Sequence, residues 1–467
     1  MKKFALLLLA AMSLQVFAQE KAILDKPRTD NRVELLSIVF RLAGNQEYNN
    51  SYFKLYTDKI DSCFAPYKEH ELIKFAQELR QERGVSYDAV MKMAVHLDND
   101  LNPIVEFTDK IPEQRWGKDN AYKFVELLKK FYKDAACEKF FKENETIYAE
   151  ASRRFLPVYE ELDLSWYKTF YGKEADEKFI IINALTTGGG NYGVSVTSPD
   201  GKREVYAIMG AWSTDSTGMV VYGKDGYFPT LLHEFNHSFV NHLIDKNESA
   251  LKENGEKIFE KVKDKMSSQA YGNWKTMMYE ALVRAAVIKY MKDHDFDQVT
   301  IARETGQQLM RGFIWIRELV DELEKYDKNR STYPTLESYM PNIVAAYQTY
   351  AGNMDKYAEQ IENGKPKVVS IEGIINGDTN VDAATETIII NFDIPLIGKG
   401  YSINNGEKGK DAFPKFEHID YANDNKSLVL KLKIESNKEY QFILTGLAFT
   451  SQEGIGMDSY EISFKTK

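Results

Sequence analysis

Phe228-Pro229-Thr230-Leu231-Leu232-His233-Glu234-Phe235-Asn236-His237-Ser238-Phe239-Val240 is the stretch on which the reading of this chain turns. The chain has only seven histidines, yet His233, His237 and His242 crowd into this region. Pro229 suits the first turn of a helix, where its missing N–H costs nothing, and the leucines, phenylalanines and Val240 supply a face to bury. At about 100° per residue, His233 and His237 project only about 40° apart, one turn along the same side. Two imidazoles so placed can hold one tetrahedral Zn²⁺. Glu234 lies beside that stripe, where it need not be a ligand. It can take a proton from a metal-activated water and return it to a leaving amine. The plain alternative is a pair of ordinary histidines on an amphipathic helix, since H-E-x-x-H also arises by chance. A strand-rich stretch before the motif, an apolar helix around it and few histidines elsewhere favour the metal.

The third ligand sets the subclass. His242 follows His233 by about 180° of helix rotation and points away unless the helix breaks. A glycine in place of Val240 and a histidine in place of Leu243 would mark a metzincin, and neither is present. Asp245 falls about 100° off the ligand stripe. Downstream, Asn273 to Ala286 reads as a second helix with Asn273 as N-cap. Glu280 sits there among Met278, Ala281, Leu282, Val283 and Ala285, and a carboxylate in such company needs a partner. A metal is one candidate, with Arg284 one turn on as a brace. An ordinary surface ion pair between Glu280 and Arg284 is the other.

His233-Glu234-Phe235-Asn236-His237 followed by Tyr279-Glu280-Ala281-Leu282-Val283-Arg284-Ala285 resembles the gluzincin metallopeptidases, in particular a group of secreted bacterial proteins without assigned substrates. The resemblance is local, from about Thr186 to Ala286. It implies His233, His237 and Glu280 as zinc ligands and Glu234 as general base. The chain departs from the N-E-x-x-x-[DE] form, with Tyr279 before the glutamate and Arg284 after it. The resemblance further implies a strand beside the cleft that pairs with an extended substrate, from Gly188–Val196 or Tyr206–Trp212, unless that stretch is plain scaffold. An oxyanion donor is also implied. Tyr271, Tyr279, Tyr347 and Tyr350 are the candidates, and Tyr347 in the helical Asn342–Tyr350 segment is the choice.

Upstream, Val33–Ala43, Glu69–Arg83, Val85–His96 and Ala121–Glu143 carry apolar residues at helical spacing and predict a helical support layer. Phe179-Ile180-Ile181-Ile182 is a buried-strand signal, and Ser198-Pro199-Asp200-Gly201 between Tyr192–Thr197 and Glu204–Met209 reads as a hairpin. A small antiparallel sheet is expected there. Helical patterning resumes at Pro229 and runs to about Glu362. Asn363-Gly364-Lys365-Pro366 is a breaker cluster and an expected linker. Beyond it come strands at Val368–Ile371, Thr387–Phe392, Ser427–Ile434, Tyr440–Leu444 and Tyr460–Phe464, the pattern of a β-sandwich. Ile388–Pro395, Lys438-Glu439-Tyr440 and Ile462–Thr466 make this segment similar to bacterial immunoglobulin-like domains. Such a module implies spacing or attachment, including contact with a cell surface or glycan.

The fold class expected is therefore α+β: a leader at 1–18, a mainly helical zincin-like region at 19–365 with its metal site within 179–290, and an immunoglobulin-like sandwich at 366–467. Lys2 and Lys3, the apolar run Phe4–Met12 and Val16-Phe17-Ala18 form a secretory signal peptide, so an exported protein, periplasmic or extracellular, is expected. No later stretch is long and apolar enough to span a membrane. The formal charge of −10 becomes −12 without Lys2 and Lys3, which argues against a nucleic-acid partner. Cys63 and Cys137 could pair in an oxidising compartment, though sequence does not bring them together. The function these features predict is a zinc peptidase acting on peptides or proteins. The alternatives are a non-peptidase zinc amidohydrolase of the cell envelope and a non-catalytic exported binding protein. Intact Glu234 argues against the last, because a structural zinc site needs no general base.

Overall fold

The structure is a computed structural model, and it describes residues 24–173 and 177–467. The leader expected at Met1–Ala18 lies outside the described residues. Among the described residues no helix is long and apolar enough to cross a membrane. The chain forms two compact units, Met1–Asn241 and His242–Lys467.

In the first unit the periodic segments fold as helices α1 (Asn31–Leu42), α2 (Lys54–Phe64), α3 (Glu71–Arg83), α4 (Asp88–Val95), α5 (Lys118–Asp134), α6 (Cys137–Glu143), α7 (Glu145–Tyr159) and α8 (Leu164–Tyr171). Asp30 caps α1 by accepting from the Arg32 N–H, and Gly84 ends α3 at φ +69°. The stretch expected as one helix, Ala121–Glu143, is two. Ala136 takes a left-handed φ of +49° between α5 and α6. The break turns Phe140 and Phe141 inward, with Phe140 4.9 Å from the Phe64 ring centroid. Burying two aromatic rings outweighs the roughly 1–2 kcal/mol cost of one left-handed alanine. Cys63 is exposed and Cys137 buried, each as a free thiol.

Strands β1 (Lys178–Ala184), β2 (Tyr192–Thr197) and β3 (Arg203–Gly210) form one sheet in the order β1-β3-β2. The hairpin forms as expected, with Gly201 at φ +81° in its turn. The sheet is nevertheless mixed, because β3 runs parallel to β1 and antiparallel to β2. The chain leaves β1, returns along the far side as β2, and the hairpin then inserts β3 between them. β1 is buried along all but its first residue, and Leu24 and Arg28 bridge to its other side. Among the described residues, the outer edge of β2 has no strand partner. A final helix, α9 (Lys224–Lys246), carries the His233–His237 motif.

The connection from β1 to β2 is tied down by a fully buried acid. Glu34 of α1 accepts from the Leu185 N–H at 2.7 Å and the Thr186 hydroxyl at 2.8 Å. Gly210 lets the connection fold back on β3, since a Cβ there would stand 2.1 Å from the Gly188 carbonyl oxygen.

The second unit holds α10 (Glu248–Ser267), α11 (Trp274–Asp293), α12 (Gln298–Met310), α13 (Ile316–Lys328) and α14 (Leu336–Asn363). After it come β4 (Val368–Glu372), β5 (Thr387–Phe392), β6 (Ile403–Asn405), β7 (Lys415–Ala422), β8 (Ser427–Lys433), β9 (Glu439–Leu444) and β10 (Tyr460–Lys465). These make two antiparallel sheets, β4-β5-β8-β7 and β10-β9-β6, around a core that includes Ile388, Leu430, Phe442 and Ile462. The fold class is α+β. All five expected strands form. β6 and β7 were not expected, since β6 is three residues long and β7 is mostly exposed and charged.

The expected linker does not release the sheets from the helices. Lys365 pairs with Glu362 at 2.7 Å and with Asp458 at 2.8 Å. A Cβ on Gly306 of α12 would stand 1.7 Å from the Gly454 carbonyl oxygen, so backbone packs directly on backbone. The strand-rich segment and α10–α14 thus share one compact unit, although their sequence patterns change sharply at Pro366.

Burial pushes the Glu34 carboxyl from 4.5 up to about 7, against the donors at Leu185 and Thr186 that lower it. The folded protein then keeps this proton where the unfolded chain has already lost it. Stability contributed below pH 4.5 is therefore lost as pH rises through about 7, by roughly 3 kcal/mol. Urea unfolding of the wild type beside Glu34→Gln across that range should show the variant's slope flatter by this amount, and equal slopes would refute the assignment.

Candidate metal centre

Helix α9 starts at Lys224, a turn and a half before the expected start at Pro229. Tyr227 N–H already bonds to the Gly223 carbonyl, and Tyr227 and Phe228 are almost fully buried. The extra turn forgoes one hydrogen bond at Pro229 and gains two buried aromatic side chains.

The polar stripe of α9 is held by what its other faces bury. Phe235 meets the β1 residue Phe179 edge-on at 4.7 Å. Phe239 stacks on Tyr171 of α8 at 4.6 Å, and the fully buried Asn236 accepts from the Tyr171 hydroxyl at 3.1 Å. These contacts fix the rotation of the helix. His233 and His237 project as the helical period requires, half-buried, with their Nε2 atoms 3.2 Å apart. That matches the edge of a tetrahedron with Zn–N bonds of 2.0–2.1 Å, about 3.3 Å. His237 Nδ1 lies 3.1 Å from Asn241 Oδ1. The amide oxygen accepts the Nδ1 proton and leaves the Nε2 lone pair for a metal. Glu234 is 8% exposed, and a Cβ added to Gly193 on β2 would stand 2.7 Å from its Oε2. The open-edged strand thus passes directly beside the expected base.

On α11, Asn273 caps the helix by accepting from the Thr276 N–H at 2.9 Å, as its sequence predicts. Glu280 Oε2 accepts from Arg284 Nη2 at 2.9 Å and from the Tyr271 hydroxyl at 3.0 Å. Arg284 also donates through Nη1 to Gln308 Oε1 at 2.9 Å and lies over the Phe313 ring. Glu280 and Arg284 side chains are 10% and 8% exposed, so the surface ion pair is excluded. Burial pushes the Tyr271 hydroxyl up to about 12, which keeps it protonated and donating.

One ligand atom each from His233, His237 and Glu280 lies within 4.8 Å of the others. Among the described residues these three form the group suited to an ion. Two imidazoles and a carboxylate, one histidine already oriented, are a donor set that fits zinc. His242 is outside the group. Asp245 is engaged elsewhere, 2.6 Å from Lys275 Nζ and bonded to the Tyr279 hydroxyl.

Tyr347 is corrected. Its side chain is fully buried in α14, 5.4 Å from the Tyr350 ring and with its hydroxyl beside the Trp315 indole. A hydroxyl with no accessible surface cannot meet a substrate oxyanion. Tyr350 is spent on the Glu318 carbonyl, and Tyr271 braces a ligand. The stretch Tyr206–Trp212 also falls away as a substrate strand, because β3 is paired on both sides. Asn241, Gly193, Tyr271 as a brace and Gln308 were not foreseen. Asn241 alone had a signal, standing one turn after His237 on the same stripe.

Residues 28–346 match the family model described as a domain of unknown function, DUF4932. The chain belongs to the DUF4932 family. No curated protein matches. Among solved structures, the bacterial surface-layer protein SbsC matches in several forms. Its domains 1–6 share 13% identity, covering 50% of this chain and 33% of that chain at a TM-score of 0.17. Its N-terminal part shares 14% identity, covering 51% and 58% at a TM-score of 0.17. A longer form shares 13% identity, covering 84% and 45% at a TM-score of 0.18. This chain spans between a third and three fifths of the surface-layer chains it matches.

If Asn241 orients His237, Asn241→Ala should weaken zinc binding by about tenfold or more with thermal melting unchanged. Competition with a chromophoric chelator measures this, and an unaltered affinity would remove Asn241 from the site.

Proposed function

We propose that this DUF4932 protein is an exported, gluzincin-like zinc metallohydrolase that cleaves peptide bonds. The observation carrying this reading is the meeting of His233, His237 and Glu280, with Glu234 following His233 on the same helix. Zinc bound there would polarise the substrate carbonyl and acidify the attacking water. His233 and His237 contribute Nε2, with Asn241 holding the His237 tautomer, and Glu280 contributes a carboxylate oxygen, its Oε2 steadied by Arg284 and Tyr271. Glu234 takes the water proton on its carboxylate as the oxygen–carbon bond forms. It returns that proton to the amine nitrogen as the carbon–nitrogen bond breaks.

The open edge of β2 beside Glu234 favours an extended peptide or protein substrate over a cell-envelope amide. A non-catalytic binding protein would have no use for a carboxylate so placed. The sequence Met1–Ala18 supports export to the periplasm or the exterior. We read the two sheets after Pro366 as an immunoglobulin-like module serving attachment to a cell surface or glycan.

Elemental analysis of the purified protein should give about one zinc per chain, and His233→Ala/His237→Ala should give none. Glu234→Gln should keep the metal and lose roughly 10²–10⁴ in kcat on a quenched-fluorescent peptide library. Wild-type protein that binds no zinc when supplied with it would end the hydrolase reading. Gly193→Val should likewise keep zinc but lose roughly tenfold or more in kcat, by pushing the Glu234 carboxylate off its position. Full activity in Gly193→Val would show that β2 does not set that position.

A further inference from the structure

Beyond the metal-binding residues, β2 borders a cavity of about 470 Å³ within the first unit. Ser195 and Thr197 line one side, Lys92 and His96 another, and Lys110 and Glu113 a third. Gly193, Ser195 and Thr197 alternate along β2 and so share one face of it. Gly193 is the residue beside Glu234. At about 3.3 Å per residue, Thr197 lies only about 13 Å further along the strand.

The charges around this cavity do not cancel. Asp88 is shared by Lys92 at 3.2 Å and Arg115 at 2.5 Å, and Arg115 also holds Glu113 at 3.0 Å. Lys92 and Arg115 therefore balance Asp88 and Glu113. Lys110 is exposed at the rim and pairs with no carboxylate among the described residues, so one positive charge is left over. His96 lies 2.7 Å from the Lys92 carbonyl through Nδ1, which must donate there. Its Nε2 is left to accept an N–H from a bound chain. Burial lowers the pKa of the imidazole and keeps it neutral in that role.

We infer that this cavity is a specificity subsite for a carboxylate of an extended peptide lying along the open edge of β2, two to four residues from the bond presented to Glu234. An unpaired strand edge takes an extended chain by backbone hydrogen bonds, and pockets beside it select side chains. Lys110 supplies the unbalanced charge for the carboxylate, Lys92 an ammonium shared with Asp88, and Ser195 and Thr197 hydroxyl donors. The carboxylate comes from an acidic side chain or from a peptide C-terminus. The inference rests on Glu234 marking the reacting bond, as proposed above.

The test uses the full chain carrying Glu234→Gln, so that bound peptide survives. Fluorescein-labelled extended peptides of serine, threonine and valine are compared by anisotropy, with one glutamate scanned through the sequence, the same positions as glutamine, and the C-terminus free or amidated. One glutamate position should bind at least about tenfold tighter than its glutamine counterpart, equivalent to about 1.4 kcal/mol. Lys110→Gln, a substitution at an exposed side chain, should reduce that preference, and Lys92→Gln/Lys110→Gln should abolish it with thermal melting unchanged. A preference for the free C-terminus alone, lost in the same variants, would assign the carboxylate to the peptide end. Equal binding of glutamate and glutamine peptides with no such end preference, a preference that survives in the double variant, or no peptide binding at all would overturn the inference. Failure of the hydrolase reading looks different: the acidic preference would stand while wild-type protein with zinc left every bound peptide intact.

Discussion

Two imidazoles can share one cation only while the helix bearing them cannot roll. A rotation of α9 by one residue, about 100°, would replace the histidines with neighbouring side chains. The barrier to that rotation is the apolar and aromatic surface on the rest of the helix: Phe235 on Phe179, Phe239 on Tyr171, and Asn236 bonded to the Tyr171 hydroxyl. Each buried aromatic contributes on the order of 2–3 kcal/mol, so the direction in which the candidate donors project is set by residues outside the cluster. β1 and α8 thus keep that stripe turned one way.

Two buried glutamates show how differently the chain treats the same group. Glu34 meets neutral donors, the Leu185 N–H and the Thr186 and Tyr56 hydroxyls, and burial pushes its carboxyl up to about 7. Glu280 has a guanidinium at 2.9 Å as well as a tyrosine hydroxyl, so a full charge is matched where it is buried. The first arrangement suits an acid that ties a loop to a helix. The second suits an acid whose position must be fixed, with Oε2 held from two sides.

The sheet serves the site through its order rather than its size. Because the β2–β3 hairpin folds back so that β3 pairs with β1, β2 is pushed to the outside with its backbone groups open on one edge. Gly193 then brings that edge against Glu234, which no residue with a Cβ could do without displacing the carboxylate. A glycine in a strand ordinarily weakens it. Here close approach is the reason for its presence.

Much of the site was legible in the sequence because it is written in local periodicity. The spacing of His233 and His237, the cap at Asn273, the turn between Glu280 and Arg284, the Ser198–Gly201 hairpin and the strands after Pro366 depend on neighbours within a few residues. Helix rise, capping and pleat alternation make such neighbours interpretable without a fold. What failed depended on distant contacts. Ala136 breaks a periodic helix because Phe64 lies elsewhere to receive Phe140, and α9 begins early because Tyr227 and Phe228 find cover. Among 28 tyrosines, nothing local distinguishes Tyr271, which holds Glu280, from Tyr347, sealed in α14. By itself the sequence determined which donors could gather and on which helices. Only the tertiary structure decided which strand stands open beside them and which side chains hold them in place, because strand order and burial come from packing between residues far apart in the chain.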